Sequence, residues 1–262
     1  MLYIIQTALQ LGCVYSFVAL ALFLSYRILD IADLTTDGCF VLGMAVSVSC
    51  CAGGHPFAGV ILGMIAGGCA GCVTAILQTR LGVPSILAGI VTNTGLYTIN
   101  LMAMGWSSNI SLLKNETIFS LFKKTNIGGA WNAIILVGMI ALCAMVLMKW
   151  FLSTRLGLSI RATGDNRDMV SASSINPRFT ILVGLVVANM FTGLSGALAG
   201  QLQKSADINA GSGIVTIGLA TLIIGETLIQ GRKSIGRNIC ACLVGNIVYR
   251  CIYAFVLQTH II

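Results

Sequence analysis

From Met1 to Leu24 the chain runs apolar without a charged side chain, and stretches of the same kind recur to its end. This succession constrains the fold more than any other feature. A helix crosses a bilayer with about 20 apolar residues. Lipid offers backbone groups no partner, so a run of that length in lipid must be helical. The spans read as Leu2–Tyr26, Gly38–Cys51, Phe57–Gln78, Ser85–Gly105, Asn132–Leu152, Phe179–Leu202, Gly213–Gln230 and Asn238–Gln258. The second is short and is expected to be broken or re-entrant. The fold class that follows is all-α, a polytopic transmembrane helical bundle of about eight spans over residues 1–262 as a single domain. Only 9% of the residues are charged, against about 25% in soluble domains, so no sizeable soluble domain fits. The N-terminal run lacks a preceding basic stretch and a small-residue cleavage site, and reads as a retained span.

Charge then orients the spans. Cytoplasmic loops collect Lys and Arg. One set of loops holds ten such residues: Arg27, Arg80, Lys149, Arg155, Arg161, Arg167, Arg178, Arg232, Lys233 and Arg237. The other holds four: Lys114, Lys123, Lys124 and Lys204. The stretch 153–178 is therefore expected in the cytoplasm and both termini outside. The net charge of +7 reads as this loop bias, with the bilayer and not nucleic acid as the partner.

Packing signals come next. Gly59, Gly63, Gly67 and Gly71 share one face of the third span, and Gly196 and Gly200 repeat the spacing in the sixth, so helices can approach closely there. The Cys69-x-x-Cys72 pair lies mid-span without other ligands nearby, and no metal site is expected. The segments Ala32–Gly38 and Ala206–Gly213 are alike, each follows a span, and the topology puts them on opposite sides. That is the pattern of an inverted repeat.

No catalytic constellation is visible. His55 and His260 are far apart in sequence, and no phosphate-cradling glycine loop occurs. The chain is read as non-catalytic. Polar residues inside spans line a path or bond neighbouring helices, because bare polar groups in lipid are costly. Asp37, Asn93, Tyr97, Asn100 and Asn189 are the path candidates; Asn93, Tyr97 and Asn100 share a helix face. Glu226 and Arg250 are the deepest ionisable residues and are expected to pair.

The stretch 153–178 opens helix-compatible, breaks at Gly164-Asp165-Asn166 and continues at helical spacing, a helix-turn-helix with Asp165 placed to cap the second helix. Gly157, Arg161, Ala162, Gly164, Asp165, Asn166, Ala172 and Ile175, with Arg167 beside them, resemble the coupling segment of the branched-chain amino acid permease family of ATP-binding-cassette importers, which includes ribose-type sugar permeases. Asp165 stands for the more usual glutamate and Ser174 where glycine is common. The runs Gly12–Leu20, Asp33–Gly43 and Gly213–Gly231 are also similar to that family.

The resemblance implies a permease subunit in a bacterial cytoplasmic membrane. It implies two ATPase subunits that bind ATP and Mg²⁺ and dock on Arg155–Arg178, leaving this chain without a cofactor. It further implies a second permease subunit, identical or related, and an external solute-binding protein. The solute class is an amino acid, with sugars and nucleosides as alternatives. The rival from the residues is an ion-coupled transporter using Glu226 or Asp37; a membrane enzyme or scaffold is the other.

Overall fold

A computed structural model describes residues 2–113, 115–124, 131–173, 175–229 and 234–258. Lys114, Ser174, Arg232, Lys233 and His260 lie outside the described residues. The spans are α1 (Leu2–Leu22), which continues as a π-helical stretch Phe23–Ile28, α2 (Thr36–Ala52), α3 (Pro56–Thr79) and α4 (Ser85–Ala103). A strand β1 (Asn109–Ser111) and a short helix α5 (Ile118–Lys124) lead to α6 (Asn132–Ser153). The helix pair α7 (Arg155–Asp165) and α8 (Arg167–Ala172) precedes α9 (Pro177–Gln203), β2 (Ser205–Asp207), α10 (Ile214–Ile229) and α11 (Ile235–Gln258). Six of these helices are long and apolar enough to cross a membrane, and α2 and α10 are shorter apolar helices. The chain is thus an all-α, multi-pass bundle.

The short α2 is tolerated because protein, not lipid, surrounds it. A 17-residue helix rises only about 25 Å, less than the hydrocarbon core of about 30 Å. α2 packs between α9, α3 and α4, and Phe40, Met44 and Val48 are fully buried. The break expected inside this span is absent. α2 holds no proline and its small and apolar residues propagate a helix; the irregular backbone lies ahead of it, in residues 29–35. Asp33, 1% exposed, pins that segment. Its carboxylate accepts from the Thr35 N–H at 2.9 Å and from Asn189 Nδ2 at 2.7 Å. Non-helical backbone at membrane depth survives only when held inside protein in this way.

The glycine stripe of α3 works as its spacing indicates. A Cβ on Gly59 or Gly63 would meet backbone of α2, and one on Gly67 or Gly71 would meet α9 at Asn189. At the far end of the bundle Gln201, fully buried, clamps three elements. Its Nε2 donates to Ser47 Oγ at 2.9 Å and to the Pro56 carbonyl at 2.8 Å, and its Oε1 accepts from the Ile118 N–H at 3.0 Å. Trp131 and Trp150 stand exposed near opposite ends of α6. Nineteen residues of helix separate them by about 28 Å, the spacing of two membrane interfaces.

The expected Glu226–Arg250 pair does not form. Glu226 binds Arg27 at 3.1 Å, and Arg250 sits 3.9 Å above the Tyr15 ring. α1 packs against both α10 and α11 and offers each residue a nearer partner. In the Arg27–Glu226 pair the Arg27 side chain is 50% exposed and that of Glu226 28%. Glu226→Gln is therefore expected to cost less than about 1 kcal/mol, measured by thermal unfolding in detergent.

Candidate functional site

Two regions collect the polar candidates. The first is a cleft of about 350 Å³ between α2, α4 and the loop that enters α10. Asp37, Asn93, Tyr97 and Asn100 all line it, so four of the five expected path residues meet in one place. Asn189 is elsewhere: it is buried, and its amide Nδ2 is spent on Asp33 and, at 3.0 Å, on the Leu185 carbonyl.

The chain builds the cleft from its two similar segments. Asp33 and Asp207 each accept the N–H two residues on, from Thr35 at 2.9 Å and Asn209 at 2.7 Å, closing the same small turn. The segments then touch. Gly211 lies against the Asp37 carbonyl, and Asp37 Oδ1 accepts the Val215 N–H at 2.9 Å. A carboxylate at the first turn of α10 satisfies donors that a helix start leaves bare. On the opposite wall, Asn93 Oδ1 fits against Gly38 because that residue has no side chain. Asn100 donates from Nδ2 to the Gly38 carbonyl at 3.2 Å. Tyr97 is 52% exposed. Asn209 and Ser212 also line it; in the sequence their segment shows as a repeat, with nothing to mark these residues as wall.

The second region is the α7–α8 pair. Gly157, Ile160 and Thr163 form its buried face. Gly157 lies on the Phe151 carbonyl and Gly164 on the Ile28 carbonyl, so these two glycines let the pair sit against the bundle. Thr163 and Thr180 hydroxyls share a 2.8 Å hydrogen bond. Asp165, Asn166, Arg167 and Ala172 are exposed, and Arg161 and Ala162 half-buried. Leu158 and Met169 are exposed apolar residues on the same pair, at 51% and 70%. The cap is Asn166 and not Asp165: Asn166 has extended backbone, and its Oδ1 accepts from the Asp168 and Met169 N–H groups, both at 3.0 Å. Asp165 still belongs to α7. Asn166→Ala is expected to cost about 1 kcal/mol of local stability, read as faster amide hydrogen exchange over residues 167–172.

A polar cleft inside a bundle, with a rigid polar helix pair projecting at one end, suits solute passage driven from outside the membrane. The family model for the permease component of the branched-chain amino acid transport system matches residues 4–260. The chain belongs to this permease family.

Its members are membrane subunits of ATP-binding-cassette importers, and the permease therefore works with a partner ATPase. It is 32% identical over 238 residues to a tyrosine transport system permease protein of Clostridioides difficile, covering 90% of this chain and 77% of that one. It is 30% identical over 220 residues to a D-allose transport system permease protein of Escherichia coli, covering 82% and 64%. A nucleoside ABC transporter permease protein of Lactococcus lactis is 24% identical over 181 residues, covering 63% and 49%. No solved structure matches the permease. The family match sets the ion-coupled alternative aside; Glu226 pairs with Arg27 and Asp37 bonds the start of α10.

Proposed function

We propose that the permease forms the translocation path for an amino acid, with the cleft at Asp37, Asn93, Tyr97 and Asn100 as part of that path. The observation that carries this is the cleft itself: polar side chains from α2, α4 and the α10 entry loop converge where lipid could satisfy none of them. Its volume falls within the range of small-molecule sites. The tyrosine system relative favours the amino acid class. Tyr97 supplies an aromatic face, and Asn93 and Asn209 supply amides for a solute's polar groups.

Two permease copies, two ATPase subunits on α7–α8 and a solute-binding protein at the opposite face complete the assembly in this reading. ATP and Mg²⁺ are bound by the ATPases. ATP-driven closure of the ATPases moves the α7–α8 pair. Gly164 against Ile28 passes that movement to the end of α1.

A second reading has one specific observation behind it. Apart from Asp37, already bonded, the polar lining is uncharged, which suits a sugar or nucleoside as well. Uptake of labelled tyrosine by the reconstituted importer, challenged with leucine, allose and guanosine, decides between them. Competition by leucine or unlabelled tyrosine supports the amino acid. Absence of ATP-dependent tyrosine and leucine uptake, with uptake of allose or guanosine, overturns it.

A further inference from the structure

A cavity of about 680 Å³ lies at the end of the bundle opposite α7–α8, between α1, α5, α6 and α9. Its lining divides by chemistry. Gln6, Thr7, Gln10, Ser120, Lys123, Asn132, Gln203 and Lys204 are polar, while Leu11, Phe119, Ala133 and Leu202 are apolar, and among the described residues no carboxylate lines it. Asn132 is the decisive member. It is 4% exposed, and neither its Nδ2 nor its Oδ1 has a partner among the described residues. A buried amide left bare is costly, so this one asks for a ligand that both accepts and donates hydrogen bonds. Asn132 also opens α6, whose start has no side-chain cap and so favours negative charge. The lysine backbone at this site is fixed: Lys204 ends α9, and its carbonyl accepts the Leu112 N–H at 2.8 Å.

We propose that this cavity seats the headgroup of an anionic glycerophospholipid from the leaflet opposite the coupling segment. Lys123 and Lys204 balance the phosphate, Asn132 Nδ2 donates to it, and Asn132 Oδ1 accepts from a headgroup hydroxyl. Location selects a lipid over a soluble anion. Asn132 begins one span and Gln203 ends another, and Trp131 and Trp106 are exposed at this end of the bundle, so the cavity sits at the membrane–water boundary. The apolar residues of the lining match the glycerol and first acyl carbons.

The proposal holds whatever solute the permease carries, and its test needs no transport. The purified permease is incubated with phosphatidylglycerol, phosphatidylcholine or inorganic phosphate, and binding is read by native mass spectrometry and thermal unfolding. Phosphatidylglycerol is expected to bind more tightly than phosphatidylcholine and to raise the unfolding temperature. The double variant Lys123→Gln/Lys204→Gln should lose that preference, with phosphatidylglycerol weakened on the order of tenfold. Lys123→Arg/Lys204→Arg should retain it, which separates lost charge from lost folding. Equal affinity for the two lipids in the unmodified protein overturns the proposal. So does unchanged phosphatidylglycerol binding by the folded glutamine variant. Displacement of the lipid by millimolar inorganic phosphate would make the source a soluble phosphate, and displacement by a hexaglutamate peptide would make it an acidic protein segment; either result also overturns it.

Discussion

Replacing Gly193 by leucine should leave no folded permease. Gly193 of α9 faces α3, where a Cβ would stand 2.5 Å from the Gly63 carbonyl oxygen and 3.1 Å from Gly67 Cα. On its other side Gly43 of α2 lies directly on the Gly193 carbonyl. Three helices thus meet backbone to backbone, and the atoms in the way cannot rotate aside as a side chain could. A leucine there forces helices apart and undoes the Asp33–Asn189 bond next to it. Overpacking typically costs about 1–3 kcal/mol where side chains can adjust. Here the loss should exceed that and consume much of a stability of about 5–15 kcal/mol. Gly138→Leu is the control, because nothing lies within 4 Å of a Cβ at that position. Size-exclusion chromatography in detergent reads both variants: Gly138→Leu should elute as a single species and Gly193→Leu should aggregate or fail to accumulate. A Gly193→Leu protein with unchanged elution and unfolding temperature contradicts the packing described.

The second large effect is on transport. Asp37→Ala should leave the permease folded in the membrane yet reduce solute uptake to less than about a tenth. The carboxylate accepts the Val215 N–H at 2.9 Å and forms one wall of the cleft. A hydrogen bond to a charged group is worth about 1.5–3 kcal/mol, and about 1.4 kcal/mol corresponds to tenfold in an equilibrium. Without it the start of α10 is free to leave the cleft. Asp37→Asn keeps an acceptor oxygen without the charge, so its uptake should fall between the two. Uptake into vesicles, normalised to inserted protein, gives the result; undiminished uptake by Asp37→Ala would remove the cleft from the path.

What could be read from the residues follows from which physical signal each feature leaves. Span edges came out within about three residues of the helices, because apolar runs end where lipid ends. The α7–α8 pair was legible for a similar reason: Gly164-Asp165-Asn166 interrupts an otherwise helical pattern. Which residue caps α8 was not, since Asp and Asn are both good caps and only the extended backbone of Asn166 decides. Asn93, Tyr97 and Asn100 shared a helix face, and that face does line the cleft.

Asn189 left the same trace as they did. A polar residue in a span looks alike whether it faces a cavity or a buried carboxylate, and its partner Asp33 is 156 positions away. The Glu226–Arg250 pairing failed because depth along two helices says nothing about a third helix packed against both. Arg27 and Tyr15 of α1 took the two partners. The Asn209–Ser212 wall was hidden because a loop that lines a site has no periodicity to betray it.

If an ATPase docked on α7–α8 drives this permease, the two should associate in detergent. The permease is purified in mild detergent from membranes of its own host, alongside a variant carrying Arg161→Ala, Asp165→Ala and Asn166→Ala. ATPase activity should co-purify with the unmodified chain and be lost from the variant, while both insert and elute alike. An unmodified chain that carries solute but never retains an ATPase, or a variant that retains it fully, rules out ATPase docking on α7–α8.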